Sequence, residues 1–241
     1  MKIVAIGDIH GRDIWEKIVE DNQDADIYVF VGDYFDSFDV PISLQLDNFK
    51  NILEFKRNNK DKVILLFGNH DYHYLDIVPI KEKYSGYQFY NAFDIKQLIN
   101  IGLSEGLLQM CYIHDKYLFT HAGVSMKWLK INIQEYNESF HDLENSKLLE
   151  QTINDYFIYK PNVFKFAMGG NFDECGDDIT QPPIWIRPYS LKQNGLDKYI
   201  HVVGHTNQRY GIELDNNVLV IDALPKEYIT IINGIINIIK I

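Results

Sequence analysis

Apolar runs recur along the chain, and five of them stop at a polar side chain beside a glycine. Lys2-Ile3-Val4-Ala5-Ile6 runs into Gly7-Asp8-Ile9-His10-Gly11, and Ile27-Tyr28-Val29-Phe30-Val31 into Gly32-Asp33-Tyr34-Phe35-Asp36. Val63-Ile64-Leu65-Leu66-Phe67 ends in Gly68-Asn69-His70-Asp71. Tyr117-Leu118-Phe119-Thr120 ends in His121-Ala122-Gly123, and Tyr199-Ile200-His201-Val202-Val203 in Gly204-His205-Thr206. Short apolar runs bounded by turn residues read as buried strands. Glycines at their ends let the backbone turn sharply and approach a ligand closely. In an open α/β sheet such strand ends are where ligands bind.

Between the first three strands the period changes. Residues 13–21 read as a short helix with Ile14, Ile18 and Val19 on one face. Pro41 fits the first turn of a second helix running to about Arg57, with Leu44, Leu46, Phe49, Ile52, Leu53 and Phe55 as its apolar positions. With strands at 2–6, 26–31 and 62–67, this β-α-β-α-β order predicts parallel pairing with crossover helices. Beyond it, residues 93–101, 124–131 and 143–158 read as helices, and 109–113 with 117–120 as a strand pair. Residues 161–183 read as a long loop, and stretches this long are usually functional. The tail reads as strands at 199–203, 211–214 and 217–221, then a hairpin of 227–232 and 235–240 turning at Asn233-Gly234. No linker or internal repeat stands out, so residues 1–241 read as one domain, with 72–107 and 161–183 as insertions at the rim of the site.

Composition narrows the class. Hydrophobic residues make up 46% and charged residues 24%, ordinary for a soluble globular protein, and the formal net charge is −11. That acidity argues against a nucleic-acid polymer or an anionic membrane as partner, since both need clustered Lys and Arg. The two cysteines, Cys111 and Cys175, form no paired motif and read as reduced thiols in a cytoplasmic protein. A strand beginning at Lys2 leaves no room for a signal peptide, and no apolar run is long enough to span a bilayer.

Asp8, His10, Asp33, Asn69, His121 and His205 together suit a pair of divalent ions, manganese first, with iron, zinc or nickel also compatible with oxygen and imidazole donors. A carboxylate such as Asp33 can bridge two ions about 3.5–4 Å apart, which share a water and make it a hydroxide near neutral pH. His70 follows Asn69 and could protonate a leaving oxygen, with Asp36 to orient it. Asp36 also has a plainer reading as a turn cap. Arg187 could clamp a phosphate or pair with Asp177 or Asp178 in the long loop, and Arg12 is a second clamp candidate. His73, His114, His141 and His201 have no ligand spacing and read as surface or satisfied core residues.

The five blocks resemble, in order, the signature blocks of the calcineurin-like metallophosphoesterases, closest to the phosphoprotein phosphatase branch with its lambda-phage-type phosphatases and diadenosine tetraphosphatases. Trp185 and Arg187 are similar to a further block of the bacterial and phage members. The resemblance implies an α/β (α+β) fold: a four-layer β-sandwich of two mixed sheets flanked by helices. It implies that Asp8 and His10 hold one metal, Asp33 bridges, and Asn69, His121 and His205 hold the other, with Asn69 also facing substrate. It implies His70 as acid and Asp36 as its partner. Three positions depart from the pattern: Ser37 stands where the family usually has a phosphate-binding Arg, Asp71 replaces Glu, and Asn207 replaces Pro. The expected activity is hydrolysis of phosphomonoesters, Ser/Thr protein-phosphatase-like. The alternatives are a dinucleoside polyphosphate hydrolase and a metal-binding module without turnover.

Overall fold

The computed structural model describes residues 1–134, 143–167 and 177–241. Strands β1 (Lys2–Ile6), β2 (Ile27–Phe30) and β3 (Val63–Leu66) pair in parallel, joined by helices α1 (Ile14–Glu20) and α2 (Ile42–Asn58). The short β4 (Leu108–Gln109) continues the parallel set. On the other side of β1, the hairpin of β10 (Glu227–Ile232) and β11 (Ile235–Lys240) adds antiparallel, giving the order β11-β10-β1-β2-β3-β4. The second sheet is β5-β6-β7-β9-β8, from β5 (Tyr112–His114), β6 (Tyr117–Phe119), β7 (Ile200–Val203), β8 (Glu213–Asp215) and β9 (Val218–Val220). It too is mixed, with β6, β7 and β9 parallel and the two edges antiparallel.

Alternation along β1 explains the layering. Ile3 and Ala5 face the second sheet and pack with Val29, Leu66, Phe119, Val202, Leu219 and Ile229. Val4 and Ile6 face the other way, with Phe30, Val63 and Leu65, under Trp15, Ile18, Phe49, Ile52 and Leu53 of α1 and α2 and under Ile95 and Ile99 of α4 (Ala92–Ser104). Such period-2 side chains, apolar on both faces, are what a strand buried on both sides requires. The helices α5 (Met126–Asn132) and α6 (Ser146–Tyr159) extend this outer cluster through Trp128, Leu149 and Ile153. The outer face of the second sheet is covered by Ile186 and by Leu191 of α7 (Pro188–Asn194), which pack on Val203, Val218 and Val220. Helices, sheet, sheet and helix make the expected four layers. No helix among the described residues is long and apolar enough to cross a membrane.

Several local expectations change. The strand expected at 109–113 is two strands in different sheets, β4 on β3 and β5 on β6. The cause is Asn154 of α6, whose Oδ1 accepts the N–H groups of Met110 and Cys111 at 2.9 Å each, while its Nδ2 donates to the Cys111 carbonyl. These bonds replace a strand partner and let the chain pass between sheets. In α2, Leu44 is exposed, and the buried neighbour is Gln45, whose amide holds the 37–40 turn through Ser37 and Val40. Helix α7 has no counterpart in the sequence reading. The 161–183 loop contains a 3-10 turn at Pro161–Phe164, and its middle, with Cys175, lies outside the described residues, as does His141.

Candidate active site

The five polar blocks sit at the carboxyl ends of β1, β2, β3, β6 and β7, drawn from both sheets. Close packing there demands glycine at two points. A Cβ on Gly68 would lie 2.1 Å from Asp33 Oδ1, and one on Gly204 1.9 Å from Asp8 Oδ1. Four of the site residues adopt left-handed backbone conformations without being glycine: His10 (φ 43°), Asp33 (52°), Asp36 (66°) and His205 (63°). Such conformations are costly and gather where a side chain must be aimed.

Backbone carbonyls fix the imidazoles. His10 Nδ1 donates to the Phe35 carbonyl at 2.6 Å, His121 Nδ1 to Val31 at 2.8 Å, and His205 Nε2 to Trp185 at 3.1 Å. The opposite nitrogen of each ring then carries a bare lone pair. These lone pairs converge on other acceptors: His121 Nε2 lies 2.9 Å from Asn69 Oδ1 and 3.3 Å from Asp33 Oδ2, and His205 Nδ1 lies 2.9 Å from the same amide oxygen. His10 Nε2 faces Asp33 Oδ2 at 3.9 Å. Acceptors held this close with no hydrogen between them fit a cation, and outer hydrogen bonds that set the ring are the usual second layer of such a site. Asp8, beside His10 at the end of β1, accepts the His205 N–H through both oxygens. Asp8, His10 and Asp33 form a group whose ligand atoms all lie within 4.8 Å of one another.

The electrostatics agree with that donor set. Burial, with Asp222 and Asp33 nearby, pushes the Asp8 pKa well above the carboxylate range. Burial also works against the Asp33 charge, but His121, His70 and His10 outweigh it and hold its pKa well below that range. Burial, then the proximity of Arg187 and His121, keeps His205 neutral. Two acids that the sequence reading did not single out for a role belong here. Asp71 is fully buried and accepts three backbone N–H groups, from Asp33, Tyr34 and Gly68, at 2.9–3.0 Å. It thereby pins the Asp33 loop to the Asn69 turn, and burial with Asp33 beside it raises its pKa to about 7. Asp222, two residues past β9, lines the cavity, and burial with Asp33 nearby raises it to about 6. Its signal was an apolar run ending in an acid, without the glycine that marked the others.

One helical turn, α3 (Asn69–Tyr72), carries His70 beside the donor set. His70 Nδ1 lies 2.9 Å from Asp36 Oδ2, and the His70 N–H donates to Asp33 Oδ1. Burial alone would lower the His70 pKa, but Asp33 and the Asp36 bond outweigh it and raise it to about 9. His73 is a core residue, fully buried, but its Nε2 has no aligned hydrogen-bond partner among the described residues and lies 2.6 Å from the same Asp36 oxygen. His201 is a core residue, its Nε2 accepting the Leu196 N–H, and His114 is half-buried.

A cavity of about 840 Å³ opens over Asp8, His10, Asp33, Asn69, His70 and His205. Its walls come from both expected rim segments, with Lys81, Lys83 and Tyr84 from the first and Lys165 and Phe166 from the second. Arg187 lines it as well, with Nη1 donating to the His205 carbonyl and Thr206 Oγ1. Asp177 and Asp178 instead accept from Ser190 and Thr180. Ser37 is buried and caps its own turn by accepting the Asp39 and Val40 N–H groups. Arg12 lines a different cleft, among Asp13, Glu16, Asp39 and Asp47, with Nη1 on the Ile9 carbonyl.

Comparison with known proteins follows the same lines. The sequence model of the family described as calcineurin-like phosphoesterase matches residues 1–209. The crystal structure of a point mutant of a cold-active protein tyrosine phosphatase is similar with a TM-score of 0.60, at 20% identity, covering 98% of this chain and 77% of that one. A metallophosphoesterase from Sphaerobacter thermophilus is similar with a TM-score of 0.52, at 12% identity, covering 100% of this chain and 88% of that one. Likeness at these identities speaks for the fold. No curated protein sequence matches the chain.

Proposed function

The chain belongs to the calcineurin-like phosphoesterase family and is a phosphoester hydrolase, and from that premise we propose that it cleaves phosphomonoesters as a Ser/Thr-type protein phosphatase does, using two divalent cations, manganese by preference. Asp8, His10 and Asp33 would hold one ion, and Asp33, Asn69, His121 and His205 the other. The observation that carries the reading is the set of bare acceptors, three imidazoles with tautomers fixed by backbone carbonyls, facing Asp33 and Asn69. When bound, such ions polarise phosphoryl oxygens and bring the pKa of a water toward neutrality.

The chain's own groups supply the rest. His70 hydrogen-bonds Asp36 through Nδ1, which leaves Nε2 to give a proton to the leaving oxygen. The Asp36 carboxylate keeps that imidazole oriented and favours its charged form. Arg187, at the cavity wall, would donate to the phosphoryl oxygens in place of the arginine that Ser37 replaces. Phosphoryl transfer asks for positioning and charge more than covalent chemistry, and these groups provide both.

A second reading, hydrolysis of dinucleoside polyphosphates, is favoured by the size of the cavity and by its aromatic wall of Tyr84, Phe166 and Trp185 with Lys81 and Lys165 at the rim. The full chain, stripped by chelator and reloaded with manganese, tests both. The expected result is about two ions bound and hydrolysis of 4-nitrophenyl phosphate and a phosphoserine peptide, lost again on chelation. Turnover of diadenosine tetraphosphate alone would move the assignment to the second reading. Two bound ions with no turnover of any of the three would overturn both.

A further inference from the structure

Asp36 serves two imidazoles at once. Its Oδ2 lies 2.9 Å from His70 Nδ1 and 2.6 Å from His73 Nε2, and the Tyr74 hydroxyl donates to Oδ1. His70 and His73 stand three residues apart at one helical turn, so both rings reach the same carboxylate. The His73 ring is enclosed: Tyr84 stacks on it at 4.8 Å and 24°, and Tyr74 and Tyr87 meet it edge-on at 4.6 and 5.0 Å. The Tyr84 N–H donates to His73 Nδ1 at 3.4 Å, which leaves the ring hydrogen on Nε2; that nitrogen touches Asp36 Oδ2 at 2.6 Å without the alignment of a hydrogen bond. The Lys83 ammonium ties down the His73 carbonyl, and the chain then passes directly over Asp36, where a Cβ on Gly86 would lie 3.0 Å from Asp36 Cβ.

A carboxylate held by one partner can rotate about its last bond. His70 on Oδ2 and the Tyr74 hydroxyl on Oδ1 stop that rotation, His73 against the same Oδ2 limits the tilt that remains, and a group whose supporting contacts are fixed holds its own partner more sharply. We propose that His73 is a positioning residue for phosphoester hydrolysis: its enclosed ring, with Nε2 pressed on Oδ2, and the Tyr74 hydroxyl on Oδ1 fix the plane of Asp36, and Asp36 so fixed aims His70 at the leaving oxygen. The inference rests on the reading of His70 as the acid. His73 itself touches neither substrate nor the donor set with its side chain; it acts through Asp36.

The test separates positioning from simple structural support by varying the leaving group. An acid matters where the departing oxygen is a poor leaving group, as in an alkyl phosphate, and little where it leaves unaided, as in 4-nitrophenyl phosphate. With the manganese-loaded full chain, His73→Ala is expected to lower kcat on an alkyl phosphate by roughly 10–100-fold, the scale of lost outer-layer support, with KM unchanged and 4-nitrophenyl phosphate scarcely affected. His73→Gln, which keeps an N–H donor near Nε2, should restore most of the loss. His70→Asn should show the same leaving-group dependence, more steeply. An equal loss on every substrate, no loss, or failure of the folded Gln variant to rescue would overturn the proposal. If the wild type cleaves no phosphomonoester, the functional reading fails by itself, and the side-chain NMR signals of the histidines still decide the contact. A hydrogen on His73 Nε2, and a His70 ring signal that moves in His73→Gln, support it; a hydrogen on Nδ1 overturns it.

Discussion

A buried acid beside other acids holds its proton more tightly than it would in an unfolded chain, and Asp222 is the clearest example. Burial and Asp33 raise its pKa to about 6 from 3.8. The folded state then binds the extra proton, so its contribution to stability is present below the unfolded value and is lost as pH rises through about 6. Asp222→Asn removes that penalty. In metal-free protein the variant should match the wild type near pH 4 and exceed it by about 1–3 kcal/mol at pH 7.5, at roughly 1.4 kcal/mol per pKa unit. Manganese should shrink the difference at pH 7.5, because cations nearby favour the charged carboxylate. Urea unfolding at the two pH values, with and without manganese, reads this; an equal difference in all four conditions would separate Asp222 from the metal centre. Residues of this kind mark the edge of what the sequence discloses. Asp8, Asp33 and Asn69 stand beside glycines after apolar runs and can be read directly. The local pattern around Asp222, Asp71 and His73 gives none of them a role, because their surroundings are assembled from distant segments: Asp71 meets the N–H of Asp33, 38 residues away, and His73 meets Asp36.

At the scale of elements, periodicity identifies a strand but does not say which sheet it joins. Leu108–Gln109 and Tyr112–His114 look like one apolar segment, and the switch between sheets depends on Asn154, over 40 residues downstream. An asparagine in the middle of a helix has no reading of its own until its partners are known. Its three bonds to Met110 and Cys111 make it a substitute strand. Asn154→Leu keeps the volume and leaves those peptide groups unpaired under α6, where each costs about 1–3 kcal/mol. With losses at adjacent groups partly overlapping, the expected destabilisation is about 3 kcal/mol, seen as a lower urea midpoint at unchanged slope. A loss below about 0.5 kcal/mol, the range of ordinary surface changes, would show that another group takes over the crossing. Helix α7 escaped notice for a related reason. Its seven residues, Pro188–Asn194, bury only Ser190 and Leu191, too few to display a helical period.

The whole molecule brings the carboxyl ends of two parallel sets of strands, one in each sheet, to a single cavity, and this determines which arginine can reach a substrate. Arg187 enters from the long connection between β6 and β7 of the second sheet, just before α7, and its guanidinium already bonds the carbonyl of His205. Arg12 follows β1 on the side of α1 and opens onto a cleft that also holds Asp13, Glu16, Asp39 and Asp47. A surface with a net charge of −11 repels phosphate at long range, so cations at the cavity mouth must supply the attraction locally. Among the described residues Lys81, Lys83, Lys165 and Arg187 line this cavity, with Glu82 on the same wall and Asp8, Asp33 and Asp222 at the donor set. A charge-assisted hydrogen bond is worth about 1.5–3 kcal/mol, so Arg187→Ala should lower kcat/KM on a phosphomonoester by roughly 10–100-fold. Arg187→Lys should recover only part, since an ammonium keeps the charge but lacks the planar fork. Arg12→Ala should leave kcat/KM within about twofold, because its cleft is not the one that holds the imidazoles. Steady-state kinetics on the three variants, with metal content checked in each, decide between them. Equal losses for Arg187→Ala and Arg12→Ala would mean that substrate spans both clefts, and a loss confined to Arg12→Ala would return the phosphate clamp to the first strand and its loop.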